Sequence, residues 1–386
     1  MKKVCVITGS RAEYGLLKPL INQIKDSKKI DLCLIATGMH LSSKFGNTLN
    51  EIKEDKIEID FQIDMKISKD SKQDISKSIS LGITSFTKAY DSLKPNLIII
   101  LGDRYEIFSA AIAAMISRIP IAHLHGGEAT EGLIDESIRH SITKMSHLHF
   151  VAANDYKNRV IQLGEKPSRV FNVGAMGLDS IKKTKLSSKD KLEKTLNLKF
   201  REKNFLITFH PVTLEKESSN EQISQLLDAL EKFKDALLIF TMPNSDLDGG
   251  VIHSSLKDFA KKNSNVKLYK SLGQHNYLSC LKYVDIVIGN SSSGLIEVPS
   301  FKKPTINIGD RQRGRLKANS VIDCLPTKRS ISKAIKYAFS ANFQSSLKNI
   351  ENPYGKNGAS KKICKVLEDT NLDNLLKKEF YNFKSK

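Results

Sequence analysis

The sequence of 386 residues lacks the features that mark a membrane, secreted or disulfide-stabilised protein. Its apolar runs, such as LIIIL at 97–101, are far shorter than a membrane span. The N-terminal MKKVCVITGS enters a strand pattern directly, so no signal peptide is expected. The 5 cysteines are scattered and none forms a CxxC pair, which argues against a disulfide framework or a zinc-thiolate site. A globular protein of the reducing cytoplasm, with no membrane partner, is the simplest expectation.

Acidic residues are fewer than basic ones, and the formal net charge is +19. Such a charge suggests nucleic acid as a partner. The excess is mostly lysine and is thinly spread, however, and acidic residues interrupt even the densest run at 182–203. No basic motif is interleaved with aromatic residues. We therefore predict no nucleic-acid partner, since a small anionic ligand such as a nucleotide needs only a few of these charges.

The dominant pattern alternates short apolar runs with longer amphipathic stretches, which predicts an α/β protein with parallel sheets. Two such blocks are separated by a lysine- and serine-rich stretch near 175–203. We predict a first domain over 1–175, a second over 176–365, and a helical segment over 366–386 that packs back on the first. Two such domains facing each other would place the C-terminal strand ends at a shared cleft, where ligands of these sheets bind. The predicted strands are 3–8, 32–37, 57–63, 96–101, 119–124, 147–152, 169–173, 205–209, 236–240, 266–269, 285–289 and 305–308.

Charged residues follow two predicted strands of the first block. TGSRAEYG follows the first strand and lacks GxGxxG, so no dinucleotide fingerprint is present, although Arg11 could still meet an anion at a helix N-terminus. LGDRYE follows the fully apolar fourth run, and core packing does not explain its Asp103–Arg104 pair. A functional role is predicted for Asp103; the alternative is a helix N-cap.

Residues 121–149 contain five histidines, with acidic residues among them. HLHGGE ends a strand and turns at its two glycines, which predicts that His125 and Glu128 face the cleft. A helix is predicted from Asp135, and its Arg139 and His140 lie four residues after Asp135 and Glu136, a spacing that allows pairing on the helix surface. HLH alternation would place two histidines on one face, but the spacing supplies no third ligand. We predict no metal and a catalytic role for one or two of these residues.

Two strand ends of the second block are also polar. TFHPVT at 208–213 brings His210 to a strand end. IGNSSSGLIEVPSFKKPTINIGDRQRGR at 288–315 follows a strand with Asn290, three serines and Gly294, which predicts a phosphate cradle at a helix start. Glu297 is expected on the first turn of that helix, holding ribose hydroxyls. Arg311, Arg313 and Arg315 are candidate phosphate partners.

Taken together, these motifs resemble the bacterial hydrolysing UDP-N-acetylglucosamine 2-epimerases of sialic-acid synthesis. The resemblance covers nearly the whole chain and also rests on ATGMH, IRHSITKMSHLH and LGEKPSRVFNVG. It implies the GT-B arrangement of two Rossmann-like domains. It also implies that nucleotide leaves C1 of the sugar as the C2 proton is lost, and that water then adds to the 2-acetamidoglucal. No metal or redox cofactor is required, and a homo-oligomer, a dimer or tetramer, is expected.

Matching motif positions assigns expected roles. Much of the family carries a glutamate where this chain has His125, whereas another bacterial branch carries histidine. Non-hydrolysing 2-epimerases typically contain EAGLR near this point, so HGGEATEGLIDE argues against that class. Candidate catalytic residues are Asp103, His125, Glu128, Asp135 and His210. Candidate substrate- or nucleotide-binding residues are Arg11, Arg104, Asn290, Ser291, Ser292, Ser293, Gly294, Glu297 and Arg311.

Three alternatives remain open from the sequence. A GT-B glycosyltransferase would share the donor site, although the Asp103 and Asp135 carboxylates favour elimination. A basic nucleic-acid-binding protein is favoured only by the net charge. A sister enzyme of legionaminic-acid synthesis would use the same chemistry on UDP- or GDP-linked N,N'-diacetylbacillosamine, and these motifs do not separate sugars that differ at C4 and C6.

Overall fold

The computed structural model describes residues 1–42, 48–67, 71–131, 134–212, 219–242 and 249–383. The chain divides into two compact units: unit 1 comprises Met1–Glu128, Asp135–Ser180 and Gly355–Lys386, and unit 2 comprises Ala129–Ile134 and Ile181–Tyr354. The sequence placed the boundaries after 175 and 365, whereas the units change after Ser180 and after Tyr354. It did not foresee that six residues after Glu128 belong to unit 2. The last residue of the 208–213 motif and residues 132–133 lie outside the described residues.

Unit 1 is built on a seven-stranded parallel sheet of order β3-β2-β1-β4-β5-β6-β7. Its strands are β1 (Lys2–Thr8), β2 (Ile30–Thr37), β3 (Phe61–Ile63), β4 (Leu97–Leu101), β5 (Ile121–Leu124), β6 (Leu148–Val151) and β7 (Val170–Asn172). Its helices are α1 (Arg11–Lys25), α2 (Leu49–Glu54), α3 (Lys72–Leu93), α4 (Tyr105–Ile116), α5 (Asp135–Met145), α6 (Asn154–Gln162), α7 (Gly177–Lys183), which reaches the unit boundary, and α15 (Ala359–Asp369).

Unit 2 is built on a six-stranded parallel sheet of order β10-β9-β8-β11-β12-β13. Its strands are β8 (Asn204–Thr208), β9 (Leu237–Thr241), β10 (Val266–Tyr269), β11 (Ile286–Gly289), β12 (Thr305–Ile308) and β13 (Val321–Cys324). Its helices are α8 (Lys189–Leu196), α9 (Ser219–Leu230), α10 (Gly249–Lys262), α11 (Gly273–Tyr283), α12 (Ser293–Ile296), α13 (Lys328–Ala338) and α14 (Ala341–Ser346).

Both sheets bury both faces, which explains why their strands are apolar at nearly every position. In unit 1, Val4 and Val6 of β1 belong to one core cluster, whereas Cys5 and Ile7 belong to the other. The strands of unit 2 alternate in the same way between their two core clusters. These are two Rossmann-like α/β units, so the predicted fold class is confirmed. Among the described residues, no helix has the length and apolar character that a membrane crossing would need.

Two predictions of secondary structure need correction. The sequence did not predict β13, because VIDC is only half buried and lacks a continuous apolar run. The C-terminal segment 366–386 was predicted to be helical, yet α15 ends at Asp369. The Thr370 hydroxyl there donates to the backbone carbonyl of Val366 at 2.6 Å, and threonine and asparagine compete with the helix for such bonds. Residues after Asp369 are described without further helix as far as 383, and the segment belongs to unit 1.

Candidate active site

A buried arginine organises the strand-end carboxylates of unit 1. Arg139 of α5 is 1% exposed, and its Nη2 donates to Asp103 Oδ2 just after β4. Its Nη1 donates to the backbone carbonyl of Glu128 at 2.9 Å and to Glu136 Oε2 at 2.6 Å. Burial alone would lower the pKa of this guanidinium, but the surrounding carboxylates outweigh burial and raise it. Arg139 therefore remains charged and forms an ion pair with Asp103.

The sequence placed Arg139 on the surface of its helix, which is wrong. The spacing rule describes an isolated helix, whereas here α5 packs against the sheet and its arginine reaches a carboxylate on another element. The second predicted pair does form on the helix, because His140 Nε2 lies 3.0 Å from Glu136 Oε1. Asp103 is also not an N-cap, because the N-cap residue of α4 is Arg104.

His125 lies one residue beyond β5 in a left-handed conformation, with φ of 64°. Its Nδ1 is 2.8 Å from Glu128 Oε1, and its Nε2 accepts a hydrogen bond from the backbone N–H of Met176 at 3.1 Å. Because β5 ends at Leu124, the alternation of side chains between the two faces of the strand, expected from HLH, does not extend to His125. The turn predicted at the two glycines is present, and it brings His125 beside Glu128, a pairing that the sequence did not predict.

The two glycines after His125 are required by crowding. A Cβ on Gly127 would lie 2.4 Å from the backbone oxygen of Tyr156, and Gly127 itself has φ of 76°. A Cβ on Gly126 would lie 3.0 Å from both His123 Nδ1 and Thr143 Oγ1. Glycine is therefore required at position 127, whereas a side chain at position 126 would have to displace His123 or Thr143 slightly.

Two other histidines of this stretch are buried in unit 1. His123 is fully buried; its Nε2 lies 2.8 Å from the Gly102 carbonyl oxygen, and burial lowers its pKa to about 3. His149 is also fully buried, 3.0 Å from the carboxylate of Glu165. Among the residues that the structure describes, no group of three or more histidine, cysteine or acidic side chains is placed to hold a metal ion.

The predicted binding residues of unit 1 are held in ion pairs. Arg11 begins α1, and its Nε lies 2.8 Å from Glu51 Oε1. Arg104 Nη2 lies 3.2 Å from the fully buried Glu106. Beside them, Glu13 accepts the Gly9 N–H at 2.7 Å, and burial, together with the charge of Glu106, raises its pKa to about 8. Both arginines thus lie at strand ends, as predicted.

In unit 2 a buried asparagine ties two strand ends together. Asn290, just after β11, is fully buried. Its Oδ1 accepts the backbone N–H of His210 at 2.7 Å, and its Nδ2 donates to the backbone carbonyl of His210 at 2.8 Å. Its own carbonyl accepts from Gln312 Nε2 at 2.8 Å and from Arg311 Nη1 at 3.2 Å. The side chain predicted to bind nucleotide therefore fixes the position of His210.

The serine-rich turn of unit 2 depends on two glycines. A Cβ on Gly289, which has φ of 137°, would lie 1.8 Å from the backbone oxygen of Thr208. A Cβ on Gly294 would lie 2.7 Å from Thr305 Cγ2. The turn presents the half-buried Ser291 and Ser292, whereas the Ser293 hydroxyl lies 2.7 Å from that of Tyr277.

One prediction for this turn is wrong. Glu297 was expected on the first turn of the helix, but α12 spans only four residues, Ser293–Ile296, and Glu297 is its C-cap. Pro299, which follows, is in a 3-10 turn that begins at Val298. Proline cannot donate to an α-helical ladder, so the helix ends before it.

Sequence patterns missed three residues of these sites. Arg139 resembled a surface residue, Gln312 lies inside an arginine-rich run, and Met176 contributes only its backbone N–H. Only a buried position in the fold distinguishes Arg139 and Gln312, which are each 1% exposed. A single sequence carries no signal for Met176.

Each unit thus combines a Rossmann-like sheet with polar groups at its C-terminal strand ends, the arrangement of an α/β enzyme that binds its ligand at such ends. The chain belongs to the UDP-N-acetylglucosamine 2-epimerase family, whose profile matches residues 22–368. This membership confirms the resemblance found in the sequence.

Individual proteins agree with this assignment. The chain is 44% identical to the Campylobacter jejuni GDP/UDP-N,N'-diacetylbacillosamine 2-epimerase (hydrolyzing), over 98% of each chain. It is 42% identical to the Escherichia coli polysialic acid biosynthesis protein P7, over 96% of this chain and 94% of that protein. The fold matches the Methanocaldococcus jannaschii UDP-GlcNAc 2-epimerase crystal structure with a TM-score of 0.79 at 17% identity, covering 95% of this chain and 99% of that one.

Proposed function

We propose that the protein is a hydrolysing 2-epimerase of a nucleotide-linked 2-acetamido sugar. The observation that carries this proposal is the carboxylate cluster of unit 1, in which Asp103 is ion-paired to the buried Arg139 and Glu128 is held beside His125. Abstracting a weakly acidic C2 proton requires a positioned base, which contributes roughly 10²–10⁴-fold to the rate.

The proposed reaction has two stages. A carboxylate takes the C2 proton, the C2–H electron pair forms the C1–C2 double bond, and the C1–O bond breaks as the nucleoside diphosphate leaves. Water then adds its hydroxyl at C1 of the 2-acetamidoglucal, and a proton returns to C2 on the opposite face. We assign the proton transfers to Asp103 and Asp135, with Glu128 as a third candidate.

Unit 2 is proposed to bind the nucleotide. Ser291 and Ser292 offer hydroxyl groups at the turn after β11, and Arg311 lies beside the same turn through its bond to the Asn290 carbonyl. A guanidinium group and hydroxyl donors suit the charge that builds on the departing diphosphate.

Two sugars are candidate substrates. The first is UDP-N-acetylglucosamine, giving N-acetylmannosamine for sialic-acid-type synthesis, and the similarity to the polysialic acid biosynthesis protein at 42% identity favours it. The second is UDP- or GDP-N,N'-diacetylbacillosamine, favoured by the C. jejuni relative at 44% identity.

A direct comparison of donors tests the proposal. The purified protein is incubated separately with each nucleotide sugar and no acceptor, and the released nucleoside diphosphate and free sugar are identified by chromatography and NMR. We expect one donor to give nucleoside diphosphate and a free sugar inverted at C2. Release from neither donor would contradict the proposal, and release without inversion would favour simple hydrolysis.

We also propose that the protein works in the reducing cytoplasm. All five cysteines, Cys5, Cys33, Cys280, Cys324 and Cys364, are unpaired thiols. Thiols persist in this form where glutathione and thioredoxin keep them reduced. Counting free thiols in protein isolated under alkylating conditions would test this point.

A further inference from the structure

We propose that His125 is a positioning residue: it holds the carboxylate of Glu128 in place and does not exchange protons with the substrate. The effect of this role on turnover rests on the proposed 2-epimerase reaction. The role also requires a single fixed tautomer of the His125 ring, which can be tested without any substrate.

The hydrogen bonds of the ring determine where its proton lies. Nε2 accepts the backbone N–H of Met176 at 3.1 Å, and a ring nitrogen that accepts an N–H cannot itself carry hydrogen. A neutral imidazole then carries its one proton on Nδ1. Nδ1 lies 2.8 Å from Glu128 Oε1, so this proton is donated to the Glu128 carboxylate.

Both ring nitrogens are therefore engaged within unit 1. Protonating Nε2 would direct a second N–H at the N–H of Met176, and the ring has little room to turn away because its side chain is 11% exposed. The side chain of Glu128 is 2% exposed. A proton can reach or leave His125 through Nε2 only if the contact with Met176 breaks.

The backbone also suits a positioning role. With φ of 64°, His125 adopts the left-handed conformation, in which histidine, asparagine and aspartate are enriched among non-glycine residues, and its N–H donates to the Phe150 carbonyl at 2.9 Å. This conformation turns the imidazole back over the turn toward Glu128. Asparagine is among the non-glycine residues most often found in this region, whereas glutamine and glutamate are not.

Glu128 is thus held from two directions. His125 donates to its carboxylate, and Arg139 Nη1 donates to its backbone carbonyl at 2.9 Å. A glutamate at position 125, as in other branches of the family, could not donate this hydrogen bond when ionised. We infer that acid–base chemistry at this turn falls to Glu128 in this chain, with His125 orienting it.

The first test is the tautomer itself. Nitrogen-15 NMR of the full-length protein labelled at histidine, without substrate, distinguishes a protonated from an unprotonated ring nitrogen. The His125 signals are identified as those missing from H125N or H125Q. We expect a protonated Nδ1 and an unprotonated Nε2 at neutral pH. A protonated Nε2, either as the other tautomer or as imidazolium, would overturn the proposal.

The second test compares two amide substitutions in the turnover assay. Asparagine places an N–H donor where Nδ1 lies and tolerates the left-handed backbone, whereas glutamine reaches toward the Nε2 position. We expect H125N to retain most of kcat, and H125Q to lose on the order of 10- to 100-fold in kcat with a smaller change in KM, as for one lost hydrogen bond to a charged group. H125N should also keep the pH dependence of the wild-type rate.

The opposite pattern would overturn the proposal. If His125 exchanges protons in the reaction, both variants lose kcat equally and one limb of the pH profile disappears in both. Melting temperatures of the two variants show whether a loss reflects unfolding. If the wild type releases nucleotide from no donor, the proposed function fails, while the NMR measurement still decides the tautomer.

Discussion

Strands β4 and β11 occupy the same place in their sheets, each next to the first strand of its unit, but different chemistry follows them. After β4, the side chain of Asp103 is ion-paired to the buried Arg139. After β11, the side chain of Asn290 is neutral and bonded at both ends to the backbone of His210. The same fold position thus holds a charged carboxylate in unit 1 and a neutral amide in unit 2.

The difference separates two ways of preparing a strand end for chemistry. A carboxylate paired with a buried guanidinium keeps its charge inside the protein, which suits proton transfer. An amide bonded to backbone groups adds no charge and fixes the turn, which suits hydroxyl and N–H donors for an anion. Three substitutions test this contrast, from the largest expected effect to the smallest, and the dependence of stability on pH tests it last.

The largest effect is expected at Asp103. Asp103→Asn keeps the shape of the side chain but removes the base, so we expect turnover to fall by about 10²–10⁴-fold. The melting temperature should change far less. Asp91→Asn at an exposed position of α3 is the matched control and should retain wild-type turnover. Equal turnover of the two variants would remove Asp103 from the mechanism.

Arg139 should dominate the stability of unit 1. Arg139→Met keeps much of the volume but leaves Asp103 and Glu136 without their buried partner. We expect the free energy of unfolding to fall by about 3–5 kcal/mol, measured by urea denaturation. Arg329→Met, at an exposed position of α13, should change it little. If the free energy of unfolding falls no further in Arg139→Met than in Arg329→Met, the ion pairs of Arg139 do not stabilise unit 1.

Asn290 should have a smaller effect with a different kinetic signature. Asn290→Ala removes the two hydrogen bonds from its side chain to the backbone N–H and carbonyl of His210, which we expect to lower the free energy of unfolding by about 1–3 kcal/mol. KM should rise more than kcat falls, because unit 2 is proposed to bind the nucleotide. The exposed Asn342→Ala is the control. A loss confined to kcat would contradict the contrast between the units.

Acidification should weaken unit 1 through its buried histidines. Burial lowers the pKa of His40 to about 4, of His123 to about 3 and of His147 to about 4. Below about pH 6.5 these histidines bind protons in the unfolded protein, whereas in the folded protein they remain neutral. The free energy of unfolding therefore falls by up to about 1.4 kcal/mol per histidine for each pH unit. Hydrogen exchange between pH 6.5 and 4.5 should show unit 1 opening first.

Glu13 acts in the opposite sense over this range. The pKa of Glu13 is raised to about 8 in the folded protein. Between the ordinary pKa of a glutamate and pH 8, the folded state therefore keeps a proton on Glu13 that the unfolded state has released. This proton favours the folded state at low pH, and the resulting stabilisation is lost as the pH rises toward 8. Glu13→Gln should therefore make the acid loss steeper. A slope that does not change would contradict the assignment of these groups.

Much of this architecture could be predicted from the sequence, and the misses have physical causes. All twelve predicted strands are present, because strands buried on both faces produce continuous apolar runs. Strand β13 escaped because it is half buried. The C-terminal helix was extended too far because periodicity does not register the Thr370 hydroxyl that bonds at its end.

The candidate site was only partly predictable. Asp103, Glu128 and His210 could be found because polar residues after apolar strands stand out. The partners that orient them could not, because Arg139 comes from another helix and Met176 offers only a backbone N–H. The left-handed backbone of His125 was not predicted either, because histidine, although enriched in this region, adopts it at only a small fraction of its positions.

The most direct test of the account is the fate of the C2 hydrogen. The wild type and Asp103→Asn are incubated with the active nucleotide sugar in D₂O without an acceptor, and the released sugar is analysed by proton NMR and mass spectrometry. Elimination and re-addition at the unit 1 carboxylates predict one deuterium at C2 of an inverted sugar from the wild type and almost no product from the variant. Released sugar that keeps its C2 hydrogen would contradict the account.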